Sequence, residues 1–242
     1  MSDNTIKDNS SIDQGELNKF NKTHQEWWDL EGEFKPLHAI NPLRIEYINL
    51  LINKHFSNTQ NLNMIDIGCG GGLVCVPMHE HGLKVTGLDA NEHNIKAANS
   101  YAKSNALDIE YIHSTVECYI KLGKTYDIVL CLEVIEHVAN PEEFVQNISK
   151  LVAPGGILIF STINRTKKAY LLAVFMAEYV LRWVPKKTHD YSKFIKPSEF
   201  VYMLKDSKLN LQELKGMSLS PITQNWYLSD DIDVNYFAVF SY

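Results

Sequence analysis

A glycine-rich segment directly after an apolar run constrains this fold more than any other part of the chain. Residues 64–72 read MIDIGCGGG, so an apolar strand ends at Ile67 and the turn GCGGG follows. Glycines here allow a sharp change from strand to helix and bring the backbone close to a ligand. A second strand-like run, residues 84–89, ends in Asp89 about 20 residues further on. An ionised aspartate accepts hydrogen bonds from both hydroxyls of a ribose, so the pattern predicts a nucleoside crevice.

The order of the apolar segments predicts an α/β fold with a doubly wound, mostly parallel sheet of seven strands. We predict strands at 63–67, 84–89, 109–113, 126–132, 156–163, 209–215 and 234–241, and helices at 16–31, 42–56, 92–105, 142–152 and 197–205. The second helix is expected to begin after Asn41-Pro42, because proline suits the first turn of a helix. Such sheets bind ligands at the carboxyl ends of their strands.

Length and composition indicate one large domain with a polar start. The chain has 242 residues, of which 45% are hydrophobic, and we expect a disordered tail over 1–15 and a single domain over 16–242. A net charge of −6 argues against nucleic acid as an obligatory partner. The four cysteines show no C-x-x-C pair and no metal-finger spacing, which fits a reducing cytoplasm.

The glycine turn by itself leaves the identity of the nucleoside open. A dinucleotide site usually reads G-x-G-x-x-G, whereas residues 68–72 read G-x-G-x-G. This spacing resembles the first motif of the class I S-adenosylmethionine-dependent methyltransferases. A nicotinamide-dependent reductase is the alternative, but its Tyr-x-x-x-Lys pair fails at the nearby candidate, where Gly123 follows Tyr119 in place of lysine. A membrane-peripheral scaffold that has lost catalysis is a third possibility.

Longer segments narrow the resemblance to one family. Residues 27–44, 131–141 and 160–200, together with the 64–72 turn and DVNY at 233–236, closely resemble the ubiquinone biosynthesis O-methyltransferases. The resemblance implies a Rossmann-like class I methyltransferase fold. It also implies an enzyme that methylates phenolic hydroxyls of two polyprenylated intermediates, 2-polyprenyl-6-hydroxyphenol and 3-demethylubiquinol, with other quinone-biosynthesis enzymes as further candidate partners.

The same resemblance implies the residues that contact S-adenosyl-L-methionine. Arg44, Gly68, Asp89 and Leu132 match the family's contacts. Arg44 can form a bidentate pair with the carboxylate of the cofactor. Asp89 suits the ribose hydroxyls, and Leu132 offers apolar surface near the adenosyl group.

Three polar residues follow the predicted 126–132 strand, at the edge where catalysis is expected. If the chain turns helical there, Glu133, Glu136 and His137 share one face. Two carboxylates and an imidazole can bind Mg²⁺, Mn²⁺ or Zn²⁺, and the family resemblance favours Mg²⁺. The alternative has Glu133 hydrogen-bonded within the site and Glu136 solvated. His137 is either a metal ligand or the general base that takes the phenolic proton.

An apolar segment within 165–193 indicates how the substrate is reached. Residues 169–184 form an apolar core that contains only two charges, Glu178 and Arg182. The core is flanked by the basic residues Arg165, Lys167, Lys168, Lys186 and Lys187. The segment is too short and too charged to span a bilayer. Its basic and aromatic residues predict a helix lying on anionic lipid, and hence a cytoplasmic enzyme held peripherally on the inner face of the membrane. A lid over the core and a dimer contact are the alternatives.

Overall fold

A central sheet of eight strands organises the molecule. The computed structural model describes residues 27–172 and 190–242. The strands are β1 (Asn63–Ile67), β2 (Lys84–Asp89), β3 (Glu110–His113), β4 (Tyr126–Leu132), β5 (Val152–Ile163), β6 (Asn210–Leu219), β7 (Trp226–Ser229) and β8 (Asn235–Ser241). Their spatial order is β3-β2-β1-β4-β5-β8-β6-β7. Pairing is parallel from β3 to β5 and antiparallel among β5, β8, β6 and β7.

Helices pack against this sheet and connect its parallel strands. The helices are α1 (Lys35–His55), α2 (Cys75–Glu80), α3 (Glu92–Ser104), α4 (Val116–Tyr119), α5 (Pro141–Ser149), α6 (Lys167–Ala169) and α7 (Pro197–Met203), with 3₁₀ turns at Ile120–Leu122, Ile135–His137 and Tyr191–Lys193. The chain leaves β1 toward β2 on one side and later enters β4 on the other side. This reversal opens a crevice at the carboxyl ends of β1 and β4, where parallel α/β sheets bind ligands.

The mostly parallel sheet is confirmed, but the prediction of seven strands is wrong. The additional strand, β7, forms a hairpin with β6 in which Leu219 pairs with Trp226 and Gly216 with Ser229. A strand of four residues has too few alternating positions to be recognised from its sequence. β5 also begins earlier than predicted, at Val152, because Val152 pairs with Tyr126 ahead of an irregularity in the ladder.

The predicted start of the helix at Asn41-Pro42 is wrong, because α1 begins at Lys35 and runs through Pro42. Pro36 takes the place in the first turn that the sequence suggested for Pro42. The Asn41 side chain does not cap the helix and instead donates to the carbonyl of Leu73, at 2.7 Å. The missing N–H of Pro42 removes one helical bond, which the remaining five turns of about 3.6 residues each can tolerate.

The core lies on both faces of the sheet, as the uninterrupted apolar sequence of β4 predicted. Ile128 and Leu130 belong to the cluster on one face, and Val129 and Cys131 to the cluster on the other. All four side chains have no exposed surface. β4 is therefore the central strand of the fold, and its carboxyl end is held in place from both sides.

Three predicted features lie wholly or partly outside the described residues. They are the tail over 1–15, most of the helix at 16–31, and the apolar 169–184 segment from residue 173 onward. At the entry to the segment, α6 is followed by Tyr170, Leu171 and Leu172, which are 52%, 54% and 43% exposed. Within residues 27–172 and 190–242, no helix combines the length and apolar character needed to cross a membrane.

Two positions of α1 provide a test of this packing. Ile48 is fully buried against the sheet, whereas Leu50 is 54% exposed. Ile48→Ala is expected to lower the free energy of unfolding by about 2–5 kcal/mol, because it leaves a cavity in the core. Leu50→Ala is expected to change it by about 0.5 kcal/mol or less. Urea denaturation of both variants measures the difference, and equal effects would contradict the described orientation of α1.

Candidate active site

The carboxyl ends of β1, β2 and β4 border one cavity of about 240 Å³. Six of the seven site residues predicted from the sequence line it: Arg44, Gly68, Asp89, Leu132, Glu133 and His137. They come from α1, the glycine turn and the ends of β2 and β4, so the tertiary fold is what brings them together. The seventh, Glu136, is not among the lining residues.

The glycine turn at 68–72 is shaped by close contacts that exclude larger side chains. Gly68 has a φ of +73°, and a Cβ there would lie 2.4 Å from a methyl group of Val134. A Cβ on Gly71 would lie 2.3 Å from Cγ of Trp27. The Gly68 N–H donates to the carbonyl of Leu88 at 2.7 Å, which joins the end of β1 to the end of β2. The turn is thus enclosed by protein on several sides and reaches the cavity through its backbone.

Asp89 holds the glycine turn and still has acceptor capacity for a ligand. Its Oδ2 accepts the N–H of Gly70 at 2.8 Å, and its Oδ1 accepts the N–H of Asn91 at 2.7 Å. Burial raises the pKa of Asp89, and the hydrogen bonds from Asn91 and Gly70 oppose that rise. The Asn94 side-chain amide also donates to Oδ1, at 3.4 Å. An ionised carboxylate offers about four lone-pair positions, so Asp89 keeps acceptor capacity for a ribose hydroxyl.

An aromatic wall, made by Trp27 and Phe34, covers the glycine turn and was missed in the sequence. The two rings stack with centroids 3.7 Å apart, and both line the cavity. The Trp27 indole N–H donates to Oδ1 of Asn94 at 3.2 Å, and Trp28 donates to the carbonyl of Gly71 at 3.1 Å. Both residues lie in the 27–44 segment that carries the family resemblance, but no spacing rule indicates that they contact the turn.

Arg44 is buried and forms an ion pair with Glu133, whose side chain is partly exposed. Arg44 Nη2 lies 3.1 Å from Glu133 Oε1, and the Ser161 hydroxyl donates to the same oxygen at 2.8 Å. The Nε of Arg44 is buried and has no hydrogen-bond partner in the described structure. Of the alternative to a metal site, the part that concerns Glu133, a hydrogen bond within the site, is therefore confirmed. Ser161 was missed, because a hydroxyl inside an apolar strand carries no functional pattern of its own.

Glu136 is buried and does not share a face with Glu133 and His137, so that expectation is wrong. The Thr162 hydroxyl donates to Glu136 Oε2 at 2.9 Å, and only 5% of Glu136 is exposed, which also excludes a solvated Glu136. Burial, and next the charge of Glu133, raise the pKa of Glu136. The helical spacing fails because Glu133 has a φ of +56° and a single 3₁₀ turn, Ile135–His137, follows it.

The predicted magnesium set therefore does not fit this arrangement. In the parts of the chain that the structure describes, no group of three or more His, Cys, Asp or Glu side chains is placed to hold a metal ion. Glu133 is engaged by Arg44 and Ser161, and Glu136 by Thr162. His137 lines the cavity. Its role as general base stays a prediction.

Comparisons with known proteins identify the family. Residues 38–214 match the family model described as a methyltransferase domain. The ubiquinone biosynthesis O-methyltransferase of Rickettsia felis is 51% identical over 228 residues, which covers 94% of this chain and 93% of that protein. This chain belongs to the ubiquinone biosynthesis O-methyltransferases. The relative from Rickettsia akari is 51% identical over 229 residues, which covers 94% of this chain and 91% of that protein. As a member of this O-methyltransferase family, the protein is an enzyme.

Solved structures of other methyltransferases share the fold of this O-methyltransferase. Magnesium protoporphyrin IX methyltransferase from Synechocystis with bound SAH has a TM-score of 0.65 at 17% identity, over 93% of this chain and 94% of that one. The plantazolicin methyltransferase in complex with SAH has a TM-score of 0.62 at 15% identity, over 94% and 99% of the two chains. These likenesses confirm the class I methyltransferase architecture.

The contact between Gly71 and Trp27 provides a test of the described site. Gly71→Ala is expected to lower the free energy of unfolding by about 1–3 kcal/mol, because its Cβ displaces the Trp27 ring. Gly32→Ala is the control, since its Cβ would lie 3.1 Å from the Cβ of Asp29 at the surface. Urea denaturation compares the two variants, and a Gly71→Ala protein as stable as the control would show that the aromatic wall does not pack on the turn.

Proposed function

We propose that this O-methyltransferase transfers the methyl group of S-adenosylmethionine to phenolic hydroxyls of polyprenylated intermediates in ubiquinone biosynthesis. Its substrates are 2-polyprenyl-6-hydroxyphenol and 3-demethylubiquinol. The observation that carries the proposal is the convergence of the glycine turn, Asp89 and Arg44 on one cavity, in a chain half identical to relatives of that name. Neither a reductase nor an inactive scaffold accounts for this convergence together with the family membership.

Different residues of the cavity suit different parts of the cofactor. Arg44 carries the positive charge for the amino acid carboxylate, and Asp89 accepts from the ribose hydroxyls. Leu132, at the end of β4, contributes apolar surface for the adenosyl group. Bound there, S-adenosylmethionine supplies an electrophilic methyl group on a sulfonium. The backbone of Gly68 completes the wall, because a residue without a side chain allows the closest approach.

The remaining task of the protein is to deprotonate and orient the phenol. A phenol has a pKa near 10, so at neutral pH its hydroxyl must lose a proton to become a good nucleophile. His137 is the candidate acceptor, because its imidazole lines the same cavity as the cofactor residues. With cofactor and phenol both bound, the cavity residues would orient the phenolic oxygen toward the sulfonium methyl group, and such positioning is a large source of rate enhancement.

The exposed apolar residues at the start of the 165–193 segment support a peripheral position on the inner face of the membrane. Tyr170, Leu171 and Leu172 are exposed and directly follow the helix that carries the basic residues Lys167 and Lys168. Lys168 forms an ion pair with Asp231, which anchors the base of the segment to the loop before β8. An apolar surface with basic flanks binds anionic lipid, and the polyprenyl substrate resides in the bilayer.

Cofactor binding is tested at Asp89. Asp89→Ala is expected to weaken S-adenosylmethionine binding by about 2–4 kcal/mol, because charged hydrogen bonds to the ribose are lost. The control is Asp108→Ala, which removes an exposed carboxylate near β3. Titration calorimetry gives the affinities, and mass spectrometry detects methylated product from a short-chain catechol. Unchanged affinity in Asp89→Ala, or binding of NADH in place of S-adenosylmethionine, would refute the proposal.

Membrane attachment is tested at the exposed leucines. The double variant Leu171→Gln, Leu172→Gln is expected to co-sediment less with anionic vesicles than the parent while retaining its affinity for cofactor. Leu122→Gln is the control, because Leu122 is also exposed, at 62%, but lies near β4. Parent binding should fall as salt rises, since each basic residue near the surface contributes about 1 kcal/mol. Equal sedimentation of double variant and parent would identify the segment as a lid or as an interface between copies.

A further inference from the structure

We propose that Glu133 is a positioning residue that presents the Arg44 guanidinium to the carboxylate of the cofactor, and that Ser161 fixes Glu133 for this purpose. The inference rests on the proposed function, because it takes S-adenosylmethionine as the ligand of Arg44. It differs from the metal site that the sequence predicted. In the described structure, the cation beside Glu133 is the guanidinium of Arg44.

The state of Arg44 is the first observation. Only 7% of its side chain is exposed, and a buried charge of this kind is stable when it is paired and hydrogen-bonded. Glu133 meets one of its five N–H donors, at Nη2, through a single oxygen. The buried Nε retains a donor without a partner at a residue that lines the cavity. A carboxylate ligand would satisfy that donor, since Arg pairs with carboxylates through two donors.

The rigidity of Glu133 is the second observation. Its φ of +56° lies in the left-handed region, which is unfavourable for a residue with a side chain and persists only where neighbouring contacts enforce it. Ser161 provides those contacts twice. Its carbonyl accepts the Glu133 N–H at 2.9 Å, and its hydroxyl donates to Glu133 Oε1 at 2.8 Å. Ser161 has no exposed surface, so these hydrogen bonds are protected from water.

The partners of Glu133 Oε1 set this role apart from metal ligation. That oxygen already accepts from Arg44 and Ser161, so a metal ion on it would stand beside a buried guanidinium of the same sign. Glu136, the second predicted ligand, is bonded to Thr162 instead. The two possible roles of Glu133 therefore differ in what they predict for cofactor binding. A metal ligand makes the affinity sensitive to chelators, whereas a residue that positions Arg44 makes it depend on the amino acid carboxylate of the ligand.

Two ligands distinguish binding of the amino acid part of the cofactor from binding of its adenosyl part. S-adenosylhomocysteine carries the amino acid carboxylate, whereas 5′-methylthioadenosine has the same adenosyl thioether without it. Titration calorimetry with both, on the full chain, isolates the contribution of Arg44 and its positioning. Glu133→Ala is expected to weaken S-adenosylhomocysteine about 10-fold or more and to leave methylthioadenosine within about 2-fold, because only the former uses the guanidinium.

Conservative variants and a neighbouring hydroxyl complete the test. Glu133→Gln retains an oxygen acceptor for Arg44, so it is expected to restore most of the S-adenosylhomocysteine affinity. Ser161→Ala should show the same ligand-selective loss to a smaller extent, which keeps the inference testable if Glu133→Ala fails to fold. Thr162→Val is the matched control on β5, because Thr162 contacts Glu136, and it should leave the ratio of the two affinities unchanged.

The outcomes are distinguishable from failure of the proposed function. A parent protein that binds neither ligand would refute the function itself. If the parent binds both and Glu133→Ala weakens them equally, Glu133 is structural and the inference is overturned. It is also overturned if exhaustive chelation lowers the affinity of the parent for S-adenosylhomocysteine to that of Glu133→Ala. Selective loss with unchanged parent affinity after chelation supports the positioning role.

Discussion

The hydrogen bonds that join the glycine turn to the end of β2 are the constraint on which the site depends. The N–H groups of Gly68 and Cys69 both donate to the carbonyl of Leu88, and the N–H of Gly70 donates to Asp89. These bonds hold the turn beside β2 while β1 continues to pair with β4 on its other side. The turn is thereby held beside the cavity that the carboxyl ends of these strands border.

Buried charge around this turn is balanced within a small group of residues. Burial raises the pKa of Asp66 to about 7, and the Arg44 guanidinium is among the groups that oppose the rise. Burial likewise raises the pKa of Glu136, and Arg44 again acts in the opposite direction. The hydroxyls of Ser161 and Thr162 donate to Glu133 and Glu136, respectively. A single guanidinium and two strand hydroxyls thus stabilise the carboxylates at the ends of β1 and β4.

This arrangement links binding of the cofactor to the packing of the sheet. β5 supplies both hydroxyls, and it is held between β4 and β8 through ladders that run to Leu132 and Asn235. The aromatic wall of Trp27 and Phe34 closes the other side of the turn, with Asn94 hydrogen-bonded to the Trp27 indole and lying 3.4 Å from Asp89. Residues of β5, of the aromatic wall and of α3 therefore fix the glycine turn, Asp89 and Glu133 in place.

Much of the fold could be predicted because its signals are local. Short apolar runs that stop at a glycine or a charged residue predict the end of β1 at Ile67, the end of β2 at Asp89 and the whole of β4. β7 and the start of α1 could not be predicted in this way. The first depends on pairing with β6, and the second on a proline that the packed helix tolerates.

The sequence by itself determined the class of fold, the family and six of the residues that line the cavity, because strand ends and glycine turns leave a pattern along the chain. Only the tertiary structure decided what the polar residues after β4 do. Glu133 meets Arg44 of α1 and Ser161 of β5, while Glu136 turns inward to Thr162. Those partners are far away in sequence. The backbone of Glu133 is left-handed, and no pattern in residues 133–137 predicts that conformation.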